Sequence, residues 1–393
     1  MRLRSGAVRA LWVTLLLALL VGLLAGAPAT ADTPTPTPLP SGDPTPEPTP
    51  TPPPSATPTP IPLPPNLASP LHVEATRLVD ASGGTVFVRG LSRSGTEYAC
   101  AYGFAIFDGP SDQASIDEMR TWNVNAVRVP LNEDCWLGIN GVPDAFGGAN
   151  YQRAITDYVA LLNRNGLYAI VDLHWSAAGT ELAMRQQAMP DLDHSPAFWS
   201  SVATAFKGND AVIFELFNEP HPDWNRDSDA AWACWRDGGT CDGVPFPTVG
   251  MQTLVDTVRA TGATNVLALG GVWYGNGLSQ WLTHRPTDPL GRIAAAWHIY
   301  NFLPCSAAAC YDATAAPVAA QVPLIATEIG TDSCQPAFVD GVLSWLRANA
   351  SGAVAWAWHP WGTTCDKTSL IGDYSGTPTE YGQPYRDFFA TQP

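Results

Sequence analysis

From Val86 onward the chain alternates between short apolar runs and longer amphipathic stretches. The runs Val86–Gly90, Ala126–Pro130, Tyr168–Trp175, Val212–Glu219, Asn265–Gly271, Ala294–Tyr300, Pro323–Glu328 and Ala353–Trp358 have the length and β-branched or aromatic content of buried strands. Asp112–Thr121, Tyr151–Asn165, Pro196–Phe206, Thr248–Ala260 and Gln335–Asn349 carry helical spacing between them, and a short Leu278–Trp281 stretch follows the fifth run. Eight strands alternating with helices predict an α/β fold of the (β/α)8 TIM-barrel type over residues 66–393. A doubly wound sheet is the competing architecture. No G-x-G-x-x-G follows a strand and no P-loop occurs, which removes its usual nucleotide sites. Nor is there an internal repeat of solenoid period.

The segment ahead of this pattern has a different character. Residues 1–31 place Arg2, Arg4 and Arg9 before the apolar run Leu11–Leu24 and close with Ala29-Thr30-Ala31, as a cleaved secretory signal does. The apolar run is short for a membrane span, so no membrane association is expected of the mature form. Residues 32–65 hold 16 Pro in 34 positions, a composition that favours an extended, disordered spacer over a core. Export suits the cysteines. Eight are present, an even number, and short separations suggest Cys234–Cys241 and Cys305–Cys310, leaving Cys100–Cys135 and Cys334–Cys365 to clip neighbouring loops. No C-x-x-C pair points to zinc. The net charge of −16 repels nucleic acid and anionic membrane and suits a secreted protein with a neutral ligand. Fifteen Trp supply core, or flat faces on which sugar rings stack.

The polar residues that interrupt the apolar runs suggest the chemistry. The fourth run breaks at Asn218-Glu219-Pro220, where Pro220 lacks an N–H and ends the ladder. The seventh breaks at Glu328, the second carries Arg128, the third ends at His174, the sixth gives His298 and Tyr300, and the eighth gives Trp356, Trp358 and His359. In a barrel these positions share the carboxyl-end face, where ligands bind. Two carboxylates among Arg, His, Tyr and Trp form a kit for cleaving a glycosidic bond. One carboxyl must carry a proton for the departing oxygen and the other must stay ionised. On that logic Arg128 holds Glu328 ionised, while Glu219, beside neutral Asn218 and aromatic walls, keeps its proton. Tyr300 orients the nucleophile, and Asn218 bonds the substrate's 2-hydroxyl. Asp172, in a strand interior, reads as structural, and His194 and His284 as surface residues. Glu97, His221, His359, Trp175, Trp273 and Trp361 stand at the right end of the barrel and are equally compatible with site, rim or packing roles.

Read in order, the Arg of Val127-Arg128-Val129-Pro130, the His of Asp172-Leu173-His174-Trp175, Asn218-Glu219-Pro220, His298-Ile299-Tyr300, Thr327-Glu328-Ile329-Gly330 and the eighth-strand Trp resemble glycoside hydrolase family 5. The resemblance implies a retaining double displacement with Glu219 as acid/base and Glu328 as nucleophile, their carboxyls about 5–5.5 Å apart. It implies that His174 and His298 line the reactive subsite and that Trp356 is its stacking platform. The substrate would be a β-linked polysaccharide or oligosaccharide, most simply a β-1,4-glucan cut internally, with no cofactor and no metal and with the protein acting as a monomer. β-Mannanase, xylanase and exo-β-1,3-glucanase share the mechanism and remain open. A non-catalytic carbohydrate-binding barrel would need neither Glu, and a metal-dependent hydrolase would need clustered ligands that the motifs lack. The first strand departs from the family pattern: Gly90-Leu91-Ser92 stands where its cellulases commonly have Gly-x-Asn.

Overall fold

The structure, a computed structural model, describes residues 68–392; the expected signal (1–31) and spacer (32–65) lie outside the described residues. Eight parallel strands close into a barrel: β1 (Val88–Ser92), β2 (Ala126–Asn132), β3 (Tyr168–Trp175), β4 (Val212–Glu215), β5 (Leu267–Gly270), β6 (Ile293–Tyr300), β7 (Leu324–Gly330) and β8 (Gly352–Trp356). They neighbour one another in chain order, and β8 pairs with β1 to complete the ring. The expected helices occupy Gln113–Arg120, Ala149–Arg164, Ser195–Phe206, Met251–Ala260 and Pro336–Asn349. Two differences have local causes. The fourth helix starts at Met251 rather than Thr248, because Thr248–Val249 pairs with Gly238–Gly239 in a small antiparallel ribbon. β4 stops at Glu215, not Glu219. Leu216 N–H still donates to the Ala268 carbonyl and Asn218 N–H to the Leu173 carbonyl, so residues 216–218 stay strapped between β3 and β5 after leaving the ladder.

The two-residue period of a strand sorts the barrel into an inside and an outside. Val127, Val129, Ala169, Val171, Phe214, Ala295 and Ala353 face outward into the core shared with the helices. Ala126, Ile170, Ile213, Ala268, Ala296, Ile325 and Val354 form a separate apolar cluster, which also takes in Leu71 and Leu78 from the hairpin at the amino-terminal end. The next inward position on each strand changes character: Arg128 on β2, Asp172 on β3, Glu215 on β4 and His298 on β6 are all fully buried. The barrel interior is therefore greasy at its base and ionic one layer higher. Eight of the fifteen Trp (Trp122, Trp136, Trp199, Trp232, Trp235, Trp281, Trp297 and Trp358) are buried side chains, so most of the Trp content is core rather than sugar platform. The four disulfides are Cys100–Cys135, Cys234–Cys241, Cys305–Cys310 and Cys334–Cys365, as the spacings suggested. Among the described residues no helix is long and apolar enough to cross a membrane.

Candidate active site

A cleft of about 600 Å³ opens at the carboxyl ends of the strands, lined by His174, Gln186, Asn218, Glu219, Tyr300, Phe302, Glu328 and Trp356 among others. A hollow of similar size, about 670 Å³, lies between the outer helices around Asp340 and Phe388 and touches no strand end. The cleft thus gathers the expected site residues, and Arg128 lies at its floor. The Arg128 guanidinium donates from Nε to Glu215 at 2.6 Å, from Nη1 to Glu328 at 2.6 Å and from Nη2 to the Asn218 amide oxygen at 2.8 Å, and Nη2 lies 3.0 Å from Asp172. Burial alone works against its charge. The three carboxylates outweigh that cost and hold it protonated.

Glu328 is fixed from two sides. One carboxylate oxygen accepts from Arg128, and the other accepts from the Tyr300 hydroxyl at 2.8 Å. A register shift between Trp297 and His298 pairs His298 with Glu328, and a second separates Ala326 from Ile329 on the β8 side. Such irregularities re-aim side chains. Here consecutive residues both reach inward, with the Thr327 hydroxyl donating to Glu215 while Glu328 meets Arg128.

Glu219 stands differently. It belongs to no strand, and a His298 Nδ1 contact at 3.0 Å holds its carboxylate. Oxygens of Glu219 and Glu328 lie within 4.8 Å of one another, with His298 between them. His298 Nδ1 is also 3.6 Å from Glu328, and its Nε2 is 3.5 Å from Glu215. Burial opposes charge on this imidazole, but Glu328, Glu215 and Glu219 reverse the balance and lift its pKa to about 10. The reciprocal effect falls on Glu219. Burial pushes its pKa up, yet the His298 contact, with help from Gln186, brings it below the ordinary carboxylate value. The expectation that Glu219 keeps its proton through neutral neighbours is therefore corrected for the open cleft. Its neighbour is a cation, and Asn218 is turned away toward Arg128 and Gln186.

The remaining expected residues fall on the cleft wall. His174 Nδ1 lies 2.8 Å from Asp172, whose charge outweighs burial and raises the His174 pKa. The imidazole stacks on Trp356, with centroids 5.4 Å apart and planes within 2°. Trp358 instead packs edge-on against Trp122 in the core. His221 stacks on Tyr274 behind Glu219, and its Nδ1 approaches the Glu219 carbonyl at 2.7 Å. Glu97 is buried and accepts from the Ser94 hydroxyl and Gly95 N–H, tying the β1 loop together. Three participants were not singled out from the sequence: Glu215, Thr327 and Gln186. Glu215 had a legible signal, a lone acid in the run Val212-Ile213-Phe214-Glu215-Leu216 at the period that places side chains inside. Gln186, in the long β3 loop, had none. His194, expected at the surface, is half-buried; it lies 3.7 Å from the buried Asp191 carboxylate and 4.0 Å from that of Glu133.

Comparison with known proteins places this geometry. The family description "Cellulase (glycosyl hydrolase family 5)" matches residues 79–362. The chain is 27% identical over 219 residues to the cellulase/esterase CelE of Acetivibrio thermocellus, covering 50% of this chain and 25% of that protein. It is 29% identical over 161 residues to endoglucanase A of Butyrivibrio fibrisolvens, covering 39% and 33%. To a mannan endo-1,4-beta-mannosidase of Salipaludibacillus agaradhaerens it is 22% identical over 317 residues, covering 78% and 86%. The chain thus spans only a quarter to a third of the first two relatives' length. Among solved structures, the β-glucanase SdGluc5_26A of Saccharophagus degradans, in complex with cellotetraose, shares the fold with a TM-score of 0.61 at 20% identity over 82% of this chain and 93% of its own. A β-mannanase from Thermomonospora fusca does so with a TM-score of 0.59 at 19% identity over 83% and 98%. With the family match running over most of the barrel, from Val79 to Gly362, the chain belongs to glycoside hydrolase family 5.

Proposed function

We propose that this glycoside hydrolase is a secreted, retaining endo-β-1,4-glucanase with Glu328 as nucleophile and Glu219 as acid/base. The observation that carries the reading is the pair of carboxylates within 4.8 Å, one locked and one loosely held, at the same rim of the barrel. That separation belongs to the short class that leaves no room for a water between the second carboxylate and the anomeric carbon. Glu328 would attack the anomeric carbon while Glu219 gives its proton to the departing oxygen. Glu219, now a base, would then take a proton from water as that water displaces the Glu328 ester. Burial already pushes Glu219 upward, and a sugar ring closing over it strengthens that push against the His298 contact, so substrate itself favours the protonated acid. Asn218 keeps one amide hydrogen beyond its bond to Gln186, which suits a sugar 2-hydroxyl. Four disulfides fit an oxidising compartment.

The sugar is the finer question. An open cleft suits internal cutting of a polymer, and endoglucanase A of Butyrivibrio fibrisolvens and the cellulase/esterase CelE are among the relatives named above. One observation favours β-mannan as a second reading: the alignment with the mannan endo-1,4-beta-mannosidase is long and covers most of both chains. Product sizing on β-1,4-glucan, mannan and xylan, with the anomer formed first read by NMR, tests both readings. Mixed-length glucan products released as the β-anomer are expected. Release of the α-anomer would rule out double displacement, and cleavage of mannan alone would move the assignment to a mannanase.

A further inference from the structure

We propose that the loop after β1 builds a distal sugar-binding platform of Tyr98, Tyr102, Phe104 and Trp175, reached from the cleft through Trp361, for the outer units of a β-linked chain. The proposal rests on the glycosidase reading and adds a binding surface outside the reacting pair. The rings form a connected run. Trp356 on the cleft wall lies 6.4 Å from Trp361, centroid to centroid, and the Tyr98 side chain reaches Trp361 in turn. Tyr98 lies 6.2 Å from Trp175, 5.8 Å from Tyr102 and 6.4 Å from Phe104, and Tyr102 stands edge-on to Trp175 at 5.9 Å.

This patch does not read as misplaced core. Tyr102 and Phe104 are 54% and 52% exposed, yet the backbone under them is held firmly. Tyr102 N–H donates to the Tyr98 carbonyl, Gly103 N–H to Cys100 and Phe104 N–H to Ala99. Gly103 takes φ of 77°, a left-handed turn that lets two adjacent large rings project without a Cβ between them. The buried Cys100–Cys135 disulfide anchors the loop to the end of β2. Asp108 accepts from the Tyr98 hydroxyl at 2.7 Å and lies 3.2 Å from His359 Nε2, and His359 stacks on Trp361. The loops after β1 and β8 are thereby joined under the rings. Rigid, exposed aromatic faces lose little entropy on binding, and their apolar area is released from water only when something flat covers them. The axial C–H faces of a β-linked sugar chain have that shape. The geometry also sets direction. β4, which leads to Glu219, lies across the barrel from β8 and β1. A chain with its scissile oxygen at Glu219 and its reacting ring on Trp356 therefore runs its glycone units over these loops.

The test measures binding without turnover. In the Glu328→Gln background, calorimetry with cello- and manno-oligosaccharides of three to six units should show affinity rising with length in at least one series. Tyr102→Ala combined with Phe104→Ala should flatten that rise and weaken the six-unit ligand by roughly 3- to 10-fold, the scale of one or two lost aromatic contacts. Leu290→Ala, an exposed apolar residue ahead of β6, should leave the rise intact. An unchanged length dependence in the double variant, with its Tm preserved, would overturn the platform, as would a parent whose affinity does not grow with length. Hydrolysis of an aryl β-cellobioside and an aryl β-mannobioside by the unsubstituted enzyme reads the catalytic assignment separately, since neither is long enough to need the platform.

Discussion

The two carboxylates at the mouth of the barrel are held in opposite ways. Glu328 sits on β7, is 3% exposed, and has both oxygens occupied by a guanidinium and a phenol. Glu219 sits on a loop past β4, has a side chain 15% exposed, and is held by an imidazole that also faces two other carboxylates. A nucleophile must meet one carbon along one line, so fixing it lowers the cost of reaching the transition state. The proposed acid, which would later act as a base, must change its proton and its partner within one turnover, so a few revisable contacts serve it better. The same difference suits an ionic layer built on strands and a proposed acid that is not.

The largest way to sharpen this contrast is to remove each carboxylate in turn. Under the proposed double displacement Glu328→Ala should lower kcat by roughly 10⁴-fold or more on every substrate, because it removes the group that forms the covalent intermediate. Glu219→Ala should cost as much on a polysaccharide but far less on a dinitrophenyl glycoside, whose leaving group departs without a proton. Steady-state rates on the two substrates check this; equal losses for Glu219→Ala on both would remove it as the acid.

Next in size is the anchor beneath them. Arg128→Ala leaves Asp172, Glu215 and Glu328 facing one another in a buried layer with their shared cation gone. Removing one partner of a buried ionic set costs about 3–5 kcal/mol. A Tm lowered by several degrees is expected, whereas Glu219→Ala, which leaves that layer intact, should leave Tm nearly unchanged. A Tm for Arg128→Ala equal to that of the parent would show that the ionic layer does not depend on it.

His298 links the two acids, and pH addresses it. Its pKa is raised to about 10 from an ordinary value near 6.5. Between those values the folded protein holds a proton that the unfolded chain has lost, so stability falls as pH rises through that window. The contribution is complete below about pH 6.5 and gone above about pH 10. Denaturant unfolding at pH 6 and pH 10 should show a larger loss for the parent than for His298→Asn. Equal losses would mean that His298 is neutral in the folded state.

Much of this arrangement was legible before the fold was seen, and the reason is geometric. A strand alternates faces with period two, so Arg128, His174, His298 and Tyr300 announced themselves as polar breaks in apolar runs whose other members had to be buried. Two cysteine pairs, Cys234–Cys241 and Cys305–Cys310, followed from short separations, and the other two were what remained. The same rule applies to Glu215, which was not singled out: an acid in a strand interior looks like an exception until its partner is known, and the partner, Arg128, is 87 residues away. The electrostatics of Glu219 could not be read at all. They depend on a contact 79 residues distant and on where the chain turns after β4. Trp356 closes β8 and Trp358 lies two residues past its end, and only the core packing of Trp358 against Trp122 distinguishes platform from filler.

The smallest effect comes from Gln186, which no motif marked. Its amide oxygen accepts from Asn218 at 2.9 Å, and its side chain also reaches Glu219, where it helps hold the carboxyl below its ordinary pKa. Gln186→Ala removes a donor that favours the ionised acid, so the Glu219 pKa should rise. The alkaline limb of the kcat/KM profile should then move to higher pH by a few tenths of a unit, while kcat at the optimum falls about 2- to 5-fold as Asn218 loses one restraint. The direction of the shift is what matters for the contrast drawn above. If Glu219 is the revisable partner, losing a neighbour retunes it; if the profile of Gln186→Ala overlays that of the parent, the acid is held as rigidly as the nucleophile and the two carboxylates are not of different kinds.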